Sequence, residues 1–119
     1  MEEYEKWIEQ AERDLSNAEY LFEGKRYKET SFFCQQCAEK ALKALLLKRN
    51  KKLVKIHDLV RLGKLLDLEN NLIKDCEKLS IVYIDSRYPD VGEKSYTKDE
   101  ALDDLKIAKR ILKWVKTQK

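Results

Sequence analysis

The chain has 119 residues, of which 39% are charged and 43% are apolar, and it contains one proline and three glycines. This apolar content excludes a disordered chain, and the few helix-breaking residues favour long amphipathic helices in one domain spanning residues 1–119. The 25 basic and 22 acidic side chains nearly balance, so the net charge of +3 does not by itself imply a nucleic-acid partner.

The start of the chain and its cysteines indicate where the protein acts. Residues 1–6 are mostly charged, and no apolar run approaches the length that spans a bilayer. The odd number of cysteines, three, argues against a disulfide framework and fits a reducing compartment. We therefore expect a cytoplasmic protein with no membrane partner.

The first predicted helix covers residues 3–24. Its apolar residues recur three or four positions apart, which is the period of an amphipathic helix. Gly24 is predicted to supply the left-handed residue that ends the helix. Because the turn at residues 24–26 is short, we expect the first two helices to be antiparallel neighbours.

The second predicted helix, residues 27–49, is interpreted as the centre of a bundle. One apolar stripe contains Phe33, Cys37, Ala38, Ala41, Leu42, Leu45 and Leu46. The small residues in this stripe would let neighbouring helices approach closely. Four polar residues, Gln36, Glu39, Lys40 and Lys43, are predicted to lie on the flank or the outside.

A shorter third helix is predicted to begin at His57 and Asp58. Asp58 in its first turn would complement the positive end of the helix dipole. The leucines up to Leu68 continue the helical pattern, and residues 69–71 break it.

The fourth predicted helix begins at Leu72 and is stopped by Pro89, because the residue before a proline is displaced from the helical conformation. Thr97 and Glu100 then have the spacing of a capping box at the start of the last helix. The predicted fold is all-α, an up-and-down four-helix bundle with an additional short helix.

Four short segments, taken together and in this order along the chain, form a recognisable sequence pattern. They are Trp7, Ala11 and Asp14-Leu15 in the first helix, Gln35-Gln36-Cys37-Ala38-Glu39-Lys40-Ala41-Leu42-Lys43-Ala44-Leu45 in the second, His57-Asp58-Leu59 in the third, and Ser86-Arg87-Tyr88-Pro89-Asp90 after the fourth. This set resembles the HEPN domain family (higher eukaryotes and prokaryotes nucleotide-binding), and the resemblance covers nearly the whole chain.

The resemblance implies a bundle of four or five helices, often dimeric, that occurs beside a minimal nucleotidyltransferase and in toxin–antitoxin pairs. Some members of the family cleave RNA, and these resemble one another in a motif of arginine, four to six residues, then histidine. In this chain the sole histidine is His57, Arg49 stands one position too far before it, and no histidine follows Arg87. The departure weakens the ribonuclease interpretation.

The Arg87 to Asp90 corner is the best candidate for a functional site. Arg87 offers a planar guanidinium to a phosphate, and Tyr88 offers a ring on which a base can stack. The alternative is local architecture, in which Arg87 caps the last carbonyls or pairs with Asp90. The candidate ligand- or partner-binding residues are Arg87, Tyr88, Asp90, Lys40 and His57, the last two from the other matching segments.

Other patterns are assigned to structure rather than to chemistry. Cys34 and Cys37 have the spacing of a metal-binding pair, but both lie on or beside an apolar helical stripe, so no metal and no cofactor is predicted. His57 is interpreted as structural rather than catalytic, since no partner for catalysis is placed by the sequence. The basic cluster Lys48, Arg49, Lys51, Lys52 and Lys55 is interpreted as a solvated edge, with RNA contact as the alternative.

The sequence therefore favours a non-catalytic binding module, the nucleotide- or partner-binding half of a two-component system with a minimal nucleotidyltransferase. A homodimer is expected. The competing hypothesis is a ribonuclease toxin that uses Arg87 with an atypical proton carrier, and a third is a plain structural dimer.

Overall fold

The computed structural model describes residues 3–49, 55–87 and 96–118, and for residues 81–87 it describes the backbone alone. This part of the chain forms five helices, α1 (Glu3–Glu23), α2 (Tyr27–Lys48), α3 (Leu59–Leu65), α4 (Asn70–Arg87) and α5 (Lys98–Thr117). Four long helices and one short helix confirm the predicted all-α class. Residues 80–84 are rich in β-branched side chains, which favour strands, but their backbone is helical and belongs to α4.

The turn between α1 and α2 differs from the prediction in one residue. The left-handed residue is Lys25, with φ 61°, and not Gly24. The Arg26 amide donates to the Leu21 carbonyl at 2.9 Å, and the Lys25 amide donates to the Phe22 carbonyl at 3.0 Å. These two bonds make a Schellman motif with Lys25 one position beyond the helix end, so the turn retains a lysine where glycine would be less strained.

α2 is the central helix, as predicted, since it packs against each of the other four. Thirteen of its 22 residues are buried, so it is enclosed on most sides rather than along one stripe. The prediction was wrong for Glu39 and Lys43, which are only 3% and 5% exposed. Their burial follows from mutual pairing, because a buried charge is tolerated only beside an opposite one.

α3 begins as predicted and ends earlier. The Asp58 side chain caps it by accepting from the Val60 amide at 3.0 Å and the Arg61 amide at 3.4 Å. The chain then turns through Asp67, whose φ is 55°, and the Leu68 amide donates to the Gly63 carbonyl at 3.1 Å. Leu68 is therefore buried although it lies in a turn and not in a helix. α4 begins at Asn70, within the predicted break at residues 69–71.

α5 closes the bundle. Its first turn is capped by Thr97, whose Oγ1 accepts from the Glu100 amide at 3.1 Å, as the capping-box spacing predicted. Lys116 pairs with Glu12 at 2.8 Å and Lys109 with Glu19 at 3.4 Å, so α5 runs antiparallel to α1. Within the described segments, none of the helices has the length and apolar character of a membrane span.

Candidate functional site

The predicted Arg87 to Asp90 corner lies at the edge of the described residues. Arg87 is the last residue of α4, and only its backbone is described. Tyr88 and Asp90 lie outside the described residues, so the use of this corner for binding remains a prediction. The other two predicted site residues, Lys40 and His57, belong to a polar network that joins α1, α2 and the start of α3.

The centre of this network is the carboxylate of Glu39 on α2. Lys43, one helical turn later, donates from Nζ to Oε2 of Glu39 at 3.0 Å. The Nδ1 atom of His57 lies 3.1 Å from both carboxylate oxygens. Because a carboxylate can only accept, this geometry places a hydrogen on Nδ1 of His57. The buried acid thus holds the ring of His57 in one orientation.

The charges around Glu39 control its protonation. Burial alone would raise the pKa of Glu39, but the hydrogen bonds from Lys43 and His57 outweigh burial and hold the pKa below its ordinary value. Glu39 therefore stays ionised near neutral pH inside the bundle. Its partner Lys43 also lies 5.9 Å from the centre of the Trp7 ring on α1.

Lys40 forms the second part of the network, facing α1. Its Nζ donates to the Gln36 side chain at 3.2 Å and lies 3.9 Å from Oδ2 of Asp14. Asp14 is 5% exposed and also accepts from Gln10 at 3.0 Å. Burial raises the pKa of Asp14, and the hydrogen bond from Gln10 and the charge of Lys40 only partly offset this effect. This second acid is less well compensated than Glu39.

Two glutamines connect the two parts. Gln36 donates from Nε2 to the Gln35 side chain at 2.6 Å, and Gln35 donates to the His57 backbone carbonyl at 3.5 Å. Gln35 is fully buried. The chain of polar contacts therefore runs from Asp14 through Lys40 and the glutamines to His57, along one side of α2.

Only part of this network is accessible to a ligand. The side chain of His57 is 49% exposed and that of Lys40 is 22% exposed, whereas those of Glu39 and Lys43 are 4% and 6% exposed. The buried pair therefore positions the accessible histidine. The arrangement can present a hydrogen-bonding imidazole and an ammonium group at the protein surface.

Sequence reasoning did not assign five members of the network to a site, namely Asp14, Gln35, Gln36, Glu39 and Lys43. One signal was available, because Glu39 precedes Lys43 by four positions and Gln36 precedes Lys40 by four, which makes each pair neighbours on the helix. The contact between Glu39 and His57 had no comparable signal. These residues are 18 positions apart and meet only when α3 packs on α2.

The cysteines are placed as the sequence indicated. Cys34, Cys37 and Cys76 are fully buried and free. Burial raises the pKa of Cys37 and of Cys76 to about 12 and raises the pKa of Cys34 further, so these thiols are poor nucleophiles. Among the described residues, no group of three or more acidic, histidine or cysteine side chains is arranged to hold a metal ion.

Two members of the predicted basic cluster have structural contacts. Lys48 donates to the Gln118 carbonyl at 2.7 Å and lies 4.7 Å from the centre of the Tyr4 ring. Arg49 donates to the Leu66 carbonyl at 3.1 Å. These contacts join the end of α2 to α1, α5 and the turn after α3. Lys51 and Lys52 lie outside the described residues.

Comparisons with known proteins give a family match and a relative. Residues 4–118 match the family model described as the HEPN domain. A protein of Methanocaldococcus jannaschii named "Putative toxin MJ1304" is 31% identical, and the match covers 92% of this chain and 84% of that protein.

Solved structures show the same fold. The chain is similar to the protein TT1696 from Thermus thermophilus, with a TM-score of 0.87, 32% identity and 98% of each chain covered. It is also similar to ST0689, an archaeal HEPN homologue, with a TM-score of 0.81, 38% identity, and 98% of this chain and 97% of that chain covered. A HEPN domain protein of Thermotoga maritima, at 21% identity and a TM-score of 0.75, shares the fold over 93% of this chain and 94% of its own.

Proposed function

The chain belongs to the HEPN domain family, and from that premise we propose that it is a non-catalytic binding module. In this proposal it forms the nucleotide- or partner-binding half of a toxin–antitoxin-like system, and the other half is a minimal nucleotidyltransferase. The module acts in the cytoplasm as a homodimer and uses no cofactor. The relative from Methanocaldococcus jannaschii, named as a candidate toxin, supports a role of this type.

One observation carries the preference for binding over catalysis. The acid and the lysine at the centre of the polar network satisfy each other inside the bundle, and they are only 3% and 5% exposed. A general acid or base must come within hydrogen-bond reach of its substrate, and the burial of this pair keeps both groups out of that reach. Glu39 and Lys43 therefore act as a support, and His57 and Lys40 provide the accessible contacts.

The proposed recognition surface combines these contacts with the Arg87 to Asp90 corner. Arg87 would pair with a phosphate or a carboxylate, Tyr88 would stack on a base or pack on the partner, and Asp90 would accept hydrogen bonds. Lys40 and His57 would supply a second polar contact. The ligand chemistry that suits these groups is a nucleotide phosphate or an acidic side chain of the partner.

A ribonuclease acting on RNA is the second candidate function, and one observation favours it. The ring of His57 is half-exposed and its Nδ1 faces the buried carboxylate of Glu39. A histidine oriented by a carboxylate in this way is suited to carry protons in general acid–base catalysis. Against this candidate stands the missing arginine–histidine motif.

Two assays test the proposal. The first measures complex formation with the proposed partner, a minimal nucleotidyltransferase, by isothermal titration of the two purified proteins. Arg87→Ala should weaken the complex at least about tenfold, which equals ~1.4 kcal/mol. Arg61→Ala, an exposed arginine on α3, is the matched control and should bind as the wild type does. Absence of any complex would contradict the proposed partner.

The second assay tests for catalysis. Purified protein is incubated with RNA, with and without a chelator, beside the His57→Ala and Arg87→Ala variants. The proposal predicts no cleavage by any of them. Cleavage that survives chelation and disappears with either substitution would contradict the binding-module proposal and support the ribonuclease function.

A further inference from the structure

Four lysines form a row along an exposed side of the second half of α5. They follow one another at intervals of three or four residues, which places them on one side of the helix, and they are Lys106, Lys109, Lys113 and Lys116. Arg110 does not belong to the row, because it pairs with Asp75 of α4 at 2.9 Å. Among the described residues, Lys106 and Lys113 take part in no ion pair. The row therefore offers two uncompensated charges within about 15 Å of helix.

An apolar groove of about 400 Å³ lies beside this row, between α1 and α5. Leu15 of α1 and Leu112 of α5 line it, and three lysines of the row border it with their aliphatic stems. Leu102, 37% exposed, precedes Lys106 by four residues and so adds apolar surface on the same side of α5. The groove is open to solvent, and its volume lies within the range of ligand sites, about 300–1,000 Å³.

The opposite edge of the groove, on α1, is acidic. Glu12 pairs with Lys116 at 2.8 Å. Glu19 pairs with Lys109 at 3.4 Å. All four side chains are about half exposed, so these pairs are weak and solvated. The groove thus has a basic edge on α5, an acidic edge on α1 and an apolar floor between them.

We propose that this α1–α5 groove binds an amphipathic helix of a partner protein, about three turns long, with acidic side chains along one flank. Side chains spaced three and four residues apart form a ridge, and such a ridge packs into the groove between two helices. The apolar ridge of the partner helix contacts Leu15 and Leu112. Its acidic flank lies over α5 and pairs with Lys106 and Lys113.

The acidic edge favours a protein partner over RNA or a membrane. Glu12 and Glu19 would repel the phosphates of RNA and of anionic lipids. Leu112 is only 5% exposed, so it is recessed and does not protrude to insert into a bilayer. A protein helix can place acidic residues over α5 and neutral or basic residues over α1, and so complement both edges.

The groove lies on a different side of α1 from the polar network. Asp14 of the network faces α2, where it lies beside Lys40. Glu12 and Glu19 face α5. The α1–α5 groove is therefore a second binding surface, and the proposal goes beyond the proposed function.

The experiment selects ligands for the purified full chain from a display library of randomised helical peptides. The enriched peptides should carry apolar residues at helical spacing and acidic residues on one flank. One of them is then labelled, and its affinity is measured by fluorescence anisotropy. Lys113→Glu should weaken its binding about tenfold, because an attraction at the edge of the groove becomes a repulsion. A version of the peptide with lysines in place of its acidic residues should prefer the Lys113→Glu variant to the wild type.

Lys78→Glu is the matched control. It makes the same change of charge at an exposed position of α4, away from the groove, and should bind the peptide as the wild type does. Lys113 is also exposed, so its substitution should leave the fold intact, and circular dichroism checks this for both variants.

Enrichment of no peptide would overturn the proposal, and so would peptides without acidic residues or peptides that bind Lys113→Glu as well as the wild type. Binding of RNA or of phosphatidylglycerol vesicles that Lys113→Glu abolishes would overturn it in favour of phosphate recognition. A dimer that Lys113→Glu dissociates in sedimentation would overturn it by showing that a second copy occupies the groove. No nucleotidyltransferase is present here, so failure of the groove leaves the titration of the proposed partner as a separate result.

Discussion

Nδ1 of His57 lies 3.1 Å from both carboxylate oxygens of Glu39, although the two residues are 18 positions apart in the chain. This contact joins the start of α3 to the central helix. It also links an accessible ring to a buried acid whose other partner is Lys43. The relation between these three groups leads to predictions about both stability and pH dependence.

Glu39→Gln should destabilise the protein by about 3 kcal/mol, because Lys43 would keep its charge in the interior without an anionic partner. The measurement is urea unfolding at pH 7. Glu29→Gln, on the exposed side of the first turn of α2, removes the same charge from the same helix and should change stability by less than about 0.5 kcal/mol. Equal effects of the two substitutions would show that the buried pair contributes nothing.

Acid should weaken the protein partly through Glu39. Its folded-state pKa lies below the ordinary value of 4.5, so its contribution to stability is present above pH 4.5 and is lost as the pH falls through the folded-state value. The difference in unfolding free energy between the wild type and Glu39→Gln should therefore shrink from pH 7 to pH 3. A constant difference across this range would contradict the assignment.

Asp14 should behave in the opposite sense. Burial raises its folded-state pKa above the ordinary value of 3.8, so stability is lost as the pH rises from 3.8 through the folded-state value. Asp14→Asn should raise the urea midpoint at pH 7 and leave it nearly unchanged at pH 3. A lower midpoint at pH 7 would mean that pairing with Lys40 outweighs the cost of burial.

Lys25→Gly should stabilise the protein by about 1 kcal/mol, because glycine adopts the left-handed conformation at this position without steric cost. The same substitution within a helix should have the opposite effect. Lys106→Gly, at an exposed position inside α5, should destabilise by about 1 kcal/mol. Thermal unfolding of both variants measures the contrast, and a loss of stability in both would exclude relief of strain at the turn.

The cysteines should be inert in the folded protein. Burial raises the pKa of Cys37 and of Cys76 to about 12, so their thiolate forms are scarce at pH 8. A thiol reagent such as dithionitrobenzoate should modify the native protein slowly and all three thiols rapidly in denaturant. Fast reaction of even one thiol in the native state would contradict the burial of that cysteine.

Much of the fold was predictable because the relevant interactions are local. The helical period placed α1, α2, α4 and α5, and the spacing of Thr97 and Glu100 located the start of α5, since helix formation and capping involve residues within four positions. The boundary of α3 was less predictable. It depends on a turn in which Asp67 adopts a positive φ, and no residue type in this segment predicts that conformation.

The sequence by itself determined the helices, the central position of α2 and the family resemblance, because these follow from patterns repeated along the chain. Only the tertiary structure decided that Glu39 and Lys43 are buried and that His57 is a partner of Glu39. The physical reason is that burial and pairing are set by the helices packed around α2. A polar residue on its flank becomes exposed or enclosed according to what the neighbouring helices place beside it.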